Sequence, residues 1–128
     1  MKYKFSTRKV LDLKVYTVDF EDGYNVINNF TGANWTPQKT QEIIDGVEKN
    51  KTLAADKDPY VWGNEDITVF ANKNGVLLID KMAMRAKQDV EPLELSHQEF
   101  YAFMQDFKKF IEERRIATWH STESVYQR

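Results

Sequence analysis

The residues best equipped for chemistry in this chain are rings and carboxylates gathered between positions 35 and 66. Trp35, Tyr60 and Trp62 fall in loops or at strand ends, with Asp56, Asp58, Glu65 and Asp66 close by in sequence. An aromatic centre with an acidic rim suits a surface that takes a basic protein: rings bury contact area, and charges speed approach. These seven residues are the candidate protein-binding set. Rings at strand ends also plug hydrophobic cores, so exposure decides between interface and interior.

Reaction chemistry has fewer candidates. The chain has no cysteine, which removes thiol nucleophiles, disulfides and thiolate metal sites. It has no G-x-S-x-G elbow, and His97 and His120 are its only imidazoles. His97 follows a helix cap, where a cationic ring meets the unfavourable end of the helix dipole, and it reads as decoration, as does His120. Asp56-Lys57-Asp58 and Glu65-Asp66 offer oxygens without the glycine-centred spacing of a calcium loop. Asn72-Lys73-Asn74-Gly75 lacks the lead and ending of a phosphate loop and reads as a tight turn. No catalytic, cofactor-binding or metal-ligating residue is assigned, and the chain is expected to be no enzyme and to need no cofactor.

The elements that must position these residues are organised around Leu93 to Arg115. Ser96 can cap a helix there, Glu99 can return the hydrogen bond, and Leu95 and Phe100 can clasp the entering chain. Phe100, Phe103, Met104, Phe107, Phe110 and Ile111 recur at spacings of three and four, so they share one face of a helix about 30 Å long. Such a face needs a sheet to lie on. Residues 2–6 read as a short edge strand. Val10 to Phe20 reads as one long strand, with Leu11, Leu13 and Val15 on one face and Tyr16, Val18 and Phe20 on the other. Glu21-Asp22-Gly23 reads as a hairpin turn into a returning strand over Tyr24, Val26, Asn28 and Phe30.

Thr36-Pro37 opens a second, weaker helix running to about Asn50, with Ile43, Ile44 and Val47 on its apolar stripe. Tyr60 and Trp62 mark a short strand, and Ile67–Ala71 and Val76–Ile79 form a hairpin about Asn74-Gly75. Lys81 to Glu91 reads as a loop or frayed strand. The expected fold class is α+β: a mostly antiparallel sheet of about five strands packed on two helices, the longer one C-terminal. Residues 1–116 form one domain, and 117–128 are a tail, loose beyond His120.

Charge narrows the partners. Eighteen Lys and Arg face twenty Asp and Glu, for a net −2, which disfavours general nucleic-acid binding. Residues 1–20 carry a surplus of +3, and residues 88–113 a deficit of −5 that could steer a basic partner. The basic residues interleave with Tyr3, Phe5 and Tyr16, so an RNA-associated or regulatory domain on the N-terminal strands is the alternative function. A carboxylate-dependent hydrolase is the second alternative. No run is apolar enough to span a bilayer, the N-terminus has no secretion-signal core, and a cytoplasmic protein with no membrane association is expected.

Tyr60, Val69-Phe70-Ala71-Asn72, Leu93-Glu94-Leu95-Ser96 and the helix from Glu99-Phe100 to Phe110-Ile111 occur in an order that resembles the small bacterial YacL-like proteins. That likeness covers residues 58–111 and implies no catalytic residue. In size, clustered acids and lack of catalytic groups the chain is similar to bacterial immunity proteins, which work by occluding the active site of a toxin used against neighbouring cells. That resemblance implies a non-enzymatic protein-binding domain whose partner is a basic toxin domain, most concretely a nuclease.

Overall fold

A computed structural model describes residues 1–114 and 123–127. Its order is β1 (Lys2–Val10), β2 (Leu13–Phe20), a 3-10 helix (Val26–Phe30), α1 (Pro37–Lys49), β3 (Tyr60–Gly63), β4 (Ile67–Asn72), β5 (Gly75–Asp80), α2 (Lys81–Arg85), β6 (Leu93–Leu95), α3 (His97–Arg114) and β7 (Glu123–Gln127). The fold is α+β. Its strands divide into two antiparallel sheets, ordered β2-β1-β7 and β3-β4-β5-β6.

The capping box forms as the sequence dictates. Glu99 N–H donates to Ser96 Oγ at 3.0 Å, and Ser96 N–H donates to Glu99 Oε1 at 2.9 Å. All six residues of the periodic apolar face are buried. Phe103 meets Tyr3 of β1 edge-on at 5.0 Å and Phe30 at 5.2 Å; Phe107 meets Phe5 at 5.4 Å and Trp35 at 5.3 Å. Helix α3 is thus the wall on which both sheets, the 3-10 helix and α1 close a single core. Ring pairs at these separations add to burial itself, which for side chains of this size contributes about 1.5–3 kcal/mol each. Among the described residues no helix is long and apolar enough to cross a membrane.

Several sequence expectations need correction. The long strand over Val10–Phe20 is interrupted: Val10 pairs with Leu13, and Leu11 and Asp12 form a two-residue turn with φ of 50° and 65°. Leu11 and Leu13, expected on a covered strand face, are exposed. Tyr24–Phe30 is no returning strand. Asn25 accepts from Ile27 N–H, Asn28 Oδ1 accepts from Asn25 N–H, and this reciprocal cap winds the segment into a 3-10 turn. Lys81–Arg85 is a helix, because Asp80 accepts from Ala83 N–H and caps it. Residues 123–127, expected within a loose tail, form β7 on the free edge of β1, while Trp119 and His120 lie outside the described residues.

Helix α1 starts at Thr36, whose side chain accepts from Lys39 N–H at 3.0 Å, and it ends at the expected place. Gly46 in its middle looks like a propensity defect until the packing is known. A Cβ there would collide with the ring of Tyr60, so the glycine lets β3 approach the helix closely.

Candidate protein-binding site

Four of the seven candidate residues come together. Trp35 follows the 3-10 helix, and Trp62 lies on the inner side of β3, opposite Val69 of β4. Their rings lie 5.7 Å apart, tilted by 31°. Trp35 is only 6% exposed and belongs to the core, held between Phe30 and Phe107. Trp62 is partly buried and lines a recess of about 350 Å3 with Trp35, Asn34, Lys39, Glu65 and Asp66. The aromatic floor is therefore a core ring carrying a surface ring. Lys39 Nζ sits 5.8 Å from the Trp35 centroid and donates to the Asn34 carbonyl at 2.7 Å, so one cation already occupies a ring face here.

The acidic lip is a braced turn. Asn64 Oδ1 accepts from the backbone N–H groups of Asp66 and Ile67 at 2.8 and 2.9 Å, shaping the β3–β4 connection. From α2, Arg85 pairs with the Asp66 carboxylate at 3.0 Å and donates to the Glu65 carbonyl, while Lys81 Nζ donates to the Asn64 carbonyl at 2.6 Å. These contacts leave the exposed Glu65 carboxylate with no ion pair among the described residues, whereas the Asp66 charge is balanced by Arg85.

The other three candidates lie elsewhere. Asp56 and Asp58 are exposed in the connection from α1, at the opposite end of β3, and the strand's four residues span about 13 Å. Tyr60, half-buried on the same face of β3 as Trp62, lays its ring against Gly46 of α1 and does not line the recess. Burial and the nearby Glu42 carboxylate hold its phenol above the ordinary value.

The acidic run at residues 88–113 is partly engaged within the chain. Glu99 closes the capping box, buried Asp106 accepts from the Tyr3 hydroxyl at 2.6 Å, and Glu112 and Glu113 lie 3.7 Å from Lys108 and Arg114. His97, expected as decoration, is partly buried and donates from Nε2 to the Asn72 carbonyl at 2.7 Å. Tyr3, Phe5 and Tyr16, the rings on which an RNA-binding sheet would stack bases, are buried beneath α3.

A polar cluster that no sequence pattern announced ties the end of β5 to the 3-10 segment. Asp80, at the end of β5, accepts from Tyr24 Oη at 2.6 Å, from Asn29 Nδ2 at 2.8 Å and from Ala83 N–H at 2.9 Å. Burial pushes the Asp80 carboxyl up, but the donors together outweigh it and hold the group below the usual carboxylate range. Removal of the Tyr24 hydroxyl from water, reinforced by its bond to Asp80, pushes that phenol up to about 12. Each acceptor oxygen is aimed at a fold contact, so the cluster is a tie between layers. Among the described residues no group of three or more His, Asp or Glu side chains is placed to hold a metal ion.

No protein-family model, characterised protein or solved structure matches the chain. The YacL-like likeness therefore rests on residue order and one amphipathic helix alone.

Proposed function

We propose that this chain is a non-enzymatic protein-binding domain of the immunity type, which neutralises a basic toxin by covering its active cleft. The observation that carries the reading is the pairing of a partly open Trp62 face with the uncompensated Glu65 carboxylate at one recess. A lysine or arginine of the partner would lie across the ring and meet the carboxylate at its end. The Trp35 floor is locked in the core, so the recess needs no reordering to receive it, which limits the entropy lost on binding. Asp56 and Asp58, exposed at the far end of β3, would add to the charge that speeds encounter with a basic protein.

Co-expression with the product of the neighbouring reading frame tests the proposal. The expected result is a stable complex and protection of the host from that product's toxicity. Glu65→Arg, an exposed change at a carboxylate with no ion pair among the described residues, should weaken the complex by tenfold or more, and Trp62→Ala by about thirtyfold, corresponding to about 2 kcal/mol at a hot-spot ring. A complex indifferent to both changes would remove the recess from the interface. Absence of any complex or protection would remove the immunity reading itself.

A further inference from the structure

The turn between β1 and β2 presents apolar side chains where a soluble hairpin would carry polar ones. Leu11 is 92% exposed, Leu13 59% and Val10 43%. Leu11 and Asp12 both take positive φ, the geometry of a type I′ turn, in which Asn, Asp or Gly is the stable first residue. A branched apolar residue in that conformation is disfavoured by contact of its Cβ with the backbone. The chain thus accepts local strain to place at the apex the most exposed large hydrophobic group among the described residues.

Directly behind the apex in the strand order stand Arg8, Lys9 and Lys14, with Asp12 3.2 Å from Lys9 and Lys14 Nζ 5.7 Å from the Tyr16 ring centroid. At about 3.3 Å per residue these cations lie roughly 7–10 Å behind Leu11, comparable to the depth of apolar insertion below a lipid headgroup layer. The hairpin ladder runs to Val10 and Leu13, so the two strands stay paired with each other right up to the apex. The apex has no aromatic anchor and is too small for a protein interface of standard size, whereas a fluid lipid surface needs neither a matched cavity nor a large footprint.

We propose that the β1–β2 hairpin is a peripheral docking finger for an anionic lipid surface, with Leu11, Val10 and Leu13 entering the acyl boundary and Arg8, Lys9 and Lys14 meeting headgroup phosphates. This surface shares no residue with the Trp62–Glu65 recess, so the two readings stand or fall separately.

The full chain is sedimented with phosphatidylcholine vesicles, with and without phosphatidylglycerol. The expected result is partition onto the anionic vesicles at least tenfold stronger than onto neutral ones, falling as salt is raised. Leu11→Asn, which relieves the turn and so keeps the fold, should reduce that partition about tenfold without lowering the melting midpoint. Lys9→Glu should reduce it on anionic vesicles alone. Wild-type chain left in the supernatant with anionic vesicles overturns the proposal, as does a Leu11→Asn variant that binds like wild type. Binding to soluble polyglutamate with the same dependence on Leu11 would assign the finger to an acidic protein instead. Self-association lost in Leu11→Asn would assign it to a second copy of the chain.

Discussion

Two tight hairpin turns of this molecule, β1–β2 and β4–β5, solve one geometric problem in opposite ways. At the β4–β5 turn, positive φ falls on Gly75 at 134°, and the surroundings hold the turn in place. Asn74 N–H donates to Asn72 Oδ1 at 2.8 Å, Lys73 N–H to the Leu53 carbonyl at 2.9 Å, and His97 to the Asn72 carbonyl. At the β1–β2 turn, positive φ falls on Leu11 and Asp12, and the apex stands in solvent. One turn is optimised for the fold. The other gives up local stability to display a leucine, and such departures from the most stable choice mark places where a surface has another use.

The largest test of that contrast is Gly75→Ala. The new Cβ would lie 2.7 Å from the Leu95 carbonyl oxygen, on a backbone conformation that L residues avoid. A loss of about 3 kcal/mol in denaturant unfolding is expected; an unchanged midpoint would show that the turn is not braced against β6.

Next in size is the far end of the same hairpin. Asp80→Ala removes the acceptor of the Ala83 N–H and of the Tyr24 hydroxyl and one of the two acceptors of the Asn29 amide, which keeps the Asp66 carbonyl, and should cost about 2 kcal/mol at neutral pH. The native Asp80 carboxyl lies below its unfolded value, so its contribution is fully present above about pH 4 and fades as pH falls through the lower native value. Wild type and Asp80→Ala should therefore converge in stability on acidification. Parallel curves down to the acid limit would show that the carboxylate charge is not what holds the tie.

The smallest effect has the opposite sign. Leu11→Asn should raise stability by about 1 kcal/mol, because asparagine adopts the left-handed conformation more readily. A drop in thermal midpoint would mean that Leu11 makes contacts its exposure does not suggest.

These turns also show what could be read in advance. Asn74-Gly75 announces its hairpin because glycine supplies the needed φ, and Ile67–Ala71 and Val76–Ile79 pair about it as expected. Leu11-Asp12 carries no such residue, so Val10 to Phe20 passes for one alternating strand. A trace was present in the phase of the pattern. The core face of β1 is Tyr3, Phe5 and Thr7, whereas that of β2 includes Tyr16 and Val18. A single uninterrupted strand cannot move its buried side chains from odd to even positions, so the flip locates a turn between Thr7 and Tyr16. The candidate site was half legible for a related reason. Residue types named Trp62, Glu65 and Asp66, but neighbours in sequence were assumed to be neighbours in space, and β3 carries Asp56 and Asp58 away from them.

From the sequence alone came the elements held by interactions three or four residues long: the Ser96–Glu99 box, the phenylalanine face of α3, the Thr36 cap and the Asn-Gly hairpin. Those are local, and local chemistry determines them. Tertiary structure decided which rings became floor and which stayed open, why Gly46 must yield room to Tyr60, and how Asp80 ties β5 to the 3-10 segment through Tyr24 and Asn29. Each of these depends on partners far apart in the chain, whose meeting is set by the closing of the whole core.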